Sequence, residues 1–187
     1  MKSYIVAGPV RGSEAYDKIL HMQKKIIKIS GNPDVLYDPH FTLKALGETS
    51  EEVRGKIACV LSGLRFTPFD VNINDFGFFR NDPSKEGSRN VVFLRPESSA
   101  VYGMHLLLCE IFSGYEQENY YSKFFENGNF QPHITINSKF SDDCFEKIAN
   151  YLSKEIDISF TVDRLVMASS EKEKKTWSSI MEFPFVI

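Results

Sequence analysis

The 187 residues carry 22 Lys plus Arg against 25 Asp plus Glu, a formal net charge of −3 with a pI near 5.8; this excludes a protein that holds long duplex nucleic acid by neutralising its phosphates, a mode that needs a basic excess. Hydrophobic content of 42% and charged content of 25% suit a globular chain long enough to bury a core, read as one domain over residues 1–187. Cys59, Cys109 and Cys144 are widely spaced and outside any CxxC pattern, which excludes a disulfide framework or zinc ribbon and fits a reducing cytoplasm; no apolar run reaches transmembrane length, so no membrane partner is expected.

Residues 3–10 (SYIVAGPV) are rich in β-formers and stop at Pro9 and Gly12, which predicts a first strand. This apolar start is too short for a secretory core. A helix follows, capped by Ser13, with Tyr16, Ile19, Leu20, Ile26 and Ile27 at helical spacing and His21 on the polar face, until Ser30-Gly31-Asn32-Pro33 ends it. His40 to Leu46 reads as a strand, Thr49/Ser50 to Leu64 as a second helix, and 66–80 as one long or bent strand. From residue 90 the order repeats: an apolar strand Val91 to Leu94, a helix from Ser98/Ser99 to Phe112 on which His105 reads as a packing residue, a loop, and a strand containing His133. A helix over 141–153 and strands over 156–168 and 176–186 close the chain. The first strands lie 87 positions apart (Tyr4, Val91) and the histidines 93 apart (His40, His133). That near-constant offset predicts two pseudo-symmetric lobes of an α+β fold.

The corresponding strands share one motif: Pro39-His40-Phe41-Thr42-Leu43 and Pro132-His133-Ile134-Thr135-Ile136. Side chains two apart on a strand leave from the same face. Simple alternation therefore groups His40, Thr42 and Lys44 on one face, and His133, Thr135, Asn137 and Lys139 on the other. If the lobes pack about a pseudo-twofold axis, the two faces meet across one cleft. Hydrolysis of a phosphodiester needs a base for water and an acid for the departing alkoxide, and an imidazole titrating near 6.5 can serve as either at neutral pH. His40 and His133 are thus the candidate catalytic pair. Thr42 and Thr135 are candidate hydrogen-bond donors to the phosphate, with β-branched strand formers as the plainer reading; Lys44 and Lys139 are candidate phosphate contacts, against solvated lysines at strand ends. Such chemistry requires no cofactor, and the four histidines, at 21, 40, 105 and 133, include no close pair that would read as a His-cluster metal site.

At these residues the sequence resembles the 2H phosphoesterase superfamily, named for two HxT motifs. Asn129-Phe-Gln-Pro-His-Ile-Thr-Ile, Ser141-Asp-Asp, Val162-Asp-Arg and Trp177 are similar to its small bacterial YjcG-type branch, labelled 2′-5′ RNA ligase-like. The resemblance implies a bilobal fold, with two mainly antiparallel sheets lining a central cleft and helices packed outside. It also implies metal-independent hydrolysis of 2′,3′-cyclic or 2′-5′ phosphodiesters in a nucleotide or short oligonucleotide, with His40 and His133 catalytic and Thr42 and Thr135 on the phosphate. Many members carry an arginine after the second motif, where this chain has Lys139. The competing readings are a binding module that holds a nucleotide or RNA end without turnover, and a 2′-5′ RNA ligase using the same residues in reverse. Phe79, Phe130 and Trp177 are candidates for base stacking, with core packing as the alternative for strand aromatics. Arg80, Lys85 and Arg89 are candidates to close over a nucleotide, against the reading of a solvated loop.

Overall fold

The computed structural model describes residues 2–10, 14–32, 38–81, 89–113, 129–171 and 178–185. Strand β1 (Lys2–Pro9) uses both of its sides: Tyr4 and Val6 enter the main core, while Ile5 and Ala7 join a second apolar cluster with Val166 and Ala168. Helix α1 (Glu14–Ser30) buries Ala15, Ile19, Met22 and Ile26 at helical spacing, leaves His21 exposed, and ends at Gly31, whose φ of 65° is the left-handed conformation that closes a helix. Strand β2 (His40–Glu48) follows, then helix α2 (Glu51–Gly63), whose cap Ser50 accepts a hydrogen bond from the Val53 amide at 3.3 Å. Strand β3 (Phe69–Phe79) ends the first half.

The second half runs through β4 (Val91–Glu97), α3 (Ser99–Ile111), β5 (Ile134–Ser138), a 3-10 turn at Asp142–Cys144, α4 (Phe145–Glu155), β6 (Ile158–Val162), β7 (Arg164–Glu171) and β8 (Ser178–Pro184). The single strand expected over 156–168 is two strands in different sheets. Alternating burial through Ile158, Phe160 and Val162 gives way after Asp163 to continuous burial from Leu165 to Ser169, because β7 is an interior strand covered on both faces. The Asp163 carbonyl accepts from the Phe185 amide at 2.7 Å and pins the crossover. Among the described residues no helix is long and apolar enough to cross a membrane.

The described strands form two antiparallel sheets, ordered β2-β1-β7-β8 and β5-β4-β3-β6. Each sheet thus begins with a motif strand at its edge, followed by the first strand of the same half. The helices are exchanged: α1 packs against β5 and α3 against β2. This exchange ties the halves through one continuous hydrophobic cluster, which includes Val6, Phe41 and Leu43 from the first sheet and Val92, Leu94 and Ile134 from the second. Gly8 is required where it stands, because any side chain there would occupy the space of the Phe41 ring, its cross-strand neighbour.

Both motif strands carry a bulge at the same place. On β2 the pairing passes from Ala7↔Thr42 to Val6↔Lys44, skipping Leu43; on β5 it passes from Phe93↔Thr135 to Val92↔Asn137, skipping Ile136. An extra residue in one strand reverses the alternation beyond it. Lys44 therefore shares a face with buried Val6, and Asn137 with buried Val92; each is only 1% exposed. The expectation that Lys44 and Asn137 share the faces of the histidines is corrected by these two bulges.

Candidate active site

The imidazoles of His40 and His133 are tethered identically. His40 Nδ1 lies 2.7 Å from the Asp38 carbonyl oxygen and His133 Nδ1 2.9 Å from that of Gln131, in each case two residues back. A carbonyl only accepts, so Nδ1 carries the proton and donates, leaving the Nε2 lone pair for other work. The intervening prolines, Pro39 and Pro132, explain why the motif begins as it does: proline keeps the residue before it out of the α region, which favours the extended backbone that returns its carbonyl to the ring. Both prolines are buried and both histidines are half-buried.

Strands β2 and β5 lie in contact, and the rings are near enough that positive charge on His40 depresses the basicity of His133. Burial is the largest influence on His133 and lowers its pKa; the bond to Gln131 opposes this and His40 adds to it, for a net value below that of an ordinary imidazole. Some of the residue's surface stays open while the ring is closely surrounded: Phe79 meets it edge-on at 5.3 Å and Phe93 at 5.5 Å, and these two phenyl rings stack on each other at 4.4 Å. Thr42 and Thr135 are half-buried, on the same strand faces as their histidines.

The remaining residues read from the sequence are scattered. Lys44 is buried beside His105 of α3, whose pKa it helps to lower after the larger effect of burial. Lys139 is exposed in a bend with φ 62°, its amide donating to the Asn90 carbonyl at 2.7 Å. Phe130 stacks face to face on His105, with centroids 3.7 Å apart and planes within 4°, and meets Tyr102 edge-on, so it packs within the protein. Phe79 borders a motif histidine; Trp177 lies outside the described residues. Arg80 lies over the Phe145 ring at 4.4 Å and Arg89 is exposed, while Lys85 lies outside the described residues.

Phe93, Arg95 and Gln23 escaped the sequence reading, and His105 was read only as a packing residue. Phe93 becomes a neighbour of the second motif only through the β4–β5 register, where it pairs with Thr135, and Arg95 follows it two positions on along β4. His105 is buried, and its Nδ1 donates to the Leu43 carbonyl at 2.7 Å, at the bulge just past Thr42. From the other half, the Gln23 amide of α1 donates to the Thr135 carbonyl at 3.4 Å. Each exchanged helix thus reaches the backbone of the opposite motif strand. No local pattern in the sequence carries that signal.

The model of the 2′-5′ RNA ligase superfamily matches residues 34–174. The chain belongs to this superfamily, the class of 2H phosphoesterases, and phosphodiester chemistry is its general province. Among solved structures, E. coli LigT in its apo form is similar with a TM-score of 0.70 at 17% identity, covering 100% of this chain and 98% of that one. TT0787 of Thermus thermophilus gives 0.64 at 16% identity over 98% and 97% of the two chains. Kluyveromyces marxianus Usb1 gives 0.57 at 13% identity over 98% of each. The search of curated proteins returned no match. The fold expected from the sequence, an α+β arrangement of two mainly antiparallel sheets with helices packed outside, is the fold these proteins share, and each sheet has four described strands. The narrower likeness to the YjcG-type branch rests on the sequence motifs alone.

Proposed function

We propose that the protein hydrolyses 2′,3′-cyclic phosphate or 2′-5′ phosphodiester bonds of small nucleotides or short oligonucleotides, without a metal, using His40 and His133 as acid and base. The observation that carries this reading is the matched tether of the two rings, which leaves an Nε2 on each motif strand for a shared substrate. His133, with its lowered pKa, is the resting base and removes a proton from water as its oxygen attacks phosphorus. His40 is the acid and protonates the alkoxide as the P–O bond breaks. Thr42 and Thr135 donate hydrogen bonds to the non-bridging oxygens as negative charge grows there. Structures of E. coli LigT with 3′-AMP, with phosphate and with ATP support a small phosphorylated nucleoside as the kind of ligand.

Joining of RNA ends into a 2′-5′ bond uses the same groups in reverse, and the name of the superfamily favours keeping it as the second reading. A panel of 2′,3′-cyclic nucleotides, 2′-5′ and 3′-5′ dinucleotides, assayed in EDTA, tests the proposal. Product beyond one equivalent from a cyclic or 2′-5′ substrate is the expected result. Stoichiometric recovery of every ligand after long incubation contradicts it and leaves a binding module.

A further inference from the structure

We propose that Arg95 binds a second phosphate of the substrate, so that the protein selects a nucleotide bearing a phosphate beyond the one undergoing reaction; the inference rests on the two-histidine reading. Arg95 is the single cation on the strands of the second sheet, β3 to β6. The β4–β5 ladder pairs Phe93 with Thr135 and Leu94 with Ile134 and ends there, so that Arg95 and His133 are the next residues beyond it on the two strands. Arg95 shares the face of Phe93 and Thr135. On its other side Arg95 pairs with Asp75 of β3, whose carboxylate Oδ2 lies 3.0 Å from Nη1.

Gly77 makes this arrangement fit. A Cβ at that position would stand 2.6 Å from the Phe93 ring and 2.9 Å from Arg95 Nη2, so the ring and the guanidinium both lie over bare backbone. The guanidinium carbon is 5.8 Å from the Phe93 centroid. Phe93 is 2% exposed and forms the floor, whereas the Arg95 side chain is 53% exposed and presents its remaining donors to solvent. An ion pair this open adds only about 0–1 kcal/mol to stability. Its consequence is orientation: Asp75 holds part of a fork of five N–H donors, and the rest face outward in the planar array that suits a phosphate.

Two comparisons decide which phosphate. The guanidinium is drawn toward Asp75 and Gly77 of β3, the strand on the other side of β4 from the second motif, which sets it apart from the reacting centre. On the first sheet the position equivalent to Arg95, cross-strand from His40, is Pro9; the face beside it is the apolar group Ile5, Ala7, Val166 and Ala168. The arginine of that sheet, Arg164, has its fork closed by Asp163 at 2.8 and 2.9 Å and by Glu182 at 2.9 Å. The open anion-binding fork is thus on the His133 side.

The test is calorimetric titration of the wild-type protein, Arg95→Ala and Arg95→Lys with uridine 3′-monophosphate and uridine 3′,5′-bisphosphate. The wild type is expected to bind the bisphosphate at least tenfold more tightly. Arg95→Ala is expected to bring that ratio close to one and Arg95→Lys to restore it in part. A wild-type ratio near one, or an undiminished ratio in Arg95→Ala, overturns the proposal. Turnover of uridine 2′,3′-cyclic phosphate by the wild type is followed separately: its absence, with the Arg95 effect intact, is a failure of the hydrolytic reading alone.

Discussion

An imidazole is a base only while its Nε2 stays unprotonated, and at His133 burial and the nearby His40 favour that form by lowering the pKa. The rate should rise with pH through the pKa of His133. Because that value is lowered, the acid limb of kcat/KM is expected below the ordinary imidazole value near 6.5; a limb above it would contradict the role assigned to His133. His40→Ala and His133→Ala should each lower kcat/KM by at least about 100-fold on a cyclic nucleotide. Thr42→Val and Thr135→Val, which keep the strand former and remove the donor, should each cost about 10- to 100-fold, chiefly in kcat. The repeated Pro-His-apolar-Thr made these four residues legible in the sequence. Lys44 was misplaced because strict alternation cannot foresee a bulge, and the bulge at Leu43 sends its side chain to the opposite face.

Elements are placed by contacts that run between the halves, and sequence periodicity registers these poorly. The helices, the motif strands and their order were readable from spacing and caps, whereas the division at Asp163 was not, since β6 and β7 are joined by one residue with no glycine or proline to mark the break. The pairing of α3 with β2 gives His105 a role at this scale: it donates to the Leu43 carbonyl and stacks on Phe130, in the segment entering the second motif. His105→Phe preserves an aromatic ring and removes the donor. It should destabilise the protein by about 1–3 kcal/mol, the cost of a buried carbonyl left without its partner, as read by urea unfolding. His105→Asn, which keeps an N–H close to the position of Nδ1, should recover part of the loss if the hydrogen bond matters more than the stack. Equal stability of His105→Phe and the wild type would show that the bond contributes nothing.

At the scale of the molecule, the nearly constant offset between the lobes foretold the pseudo-twofold arrangement, and the sheet orders β2-β1-β7-β8 and β5-β4-β3-β6 correspond strand for strand. The symmetry ends in the neighbours of the two motif histidines. Ile5, Ala7, Val166 and Ala168 line the face of His40, whereas Phe93 borders His133, and Arg95, paired with Asp75, follows Phe93 on β4, a difference that depends on cross-strand neighbours far apart in the chain. The whole fold also has an acid sensitivity built from two histidines. His105 and His133 both have folded pKa values below the unfolded one, so their neutral forms contribute stability that is complete above about 6.5 and is lost as pH falls toward and through the lowered values. Thermal midpoints should therefore fall between pH 7 and pH 5, and by less in His105→Phe. A midpoint that rises over this interval would reverse the sign of the linkage.

The most direct test follows the imidazole nitrogens of ¹⁵N-histidine-labelled protein during titration with uridine 2′-monophosphate, the resonances assigned from His40→Ala and His133→Ala. Before ligand, each of the two rings should show a protonated Nδ1, and on titration both Nε2 signals should move along one binding curve. Movement of only one ring, or separate curves for the two, would contradict the claim that a single phosphate is held between His40 and His133.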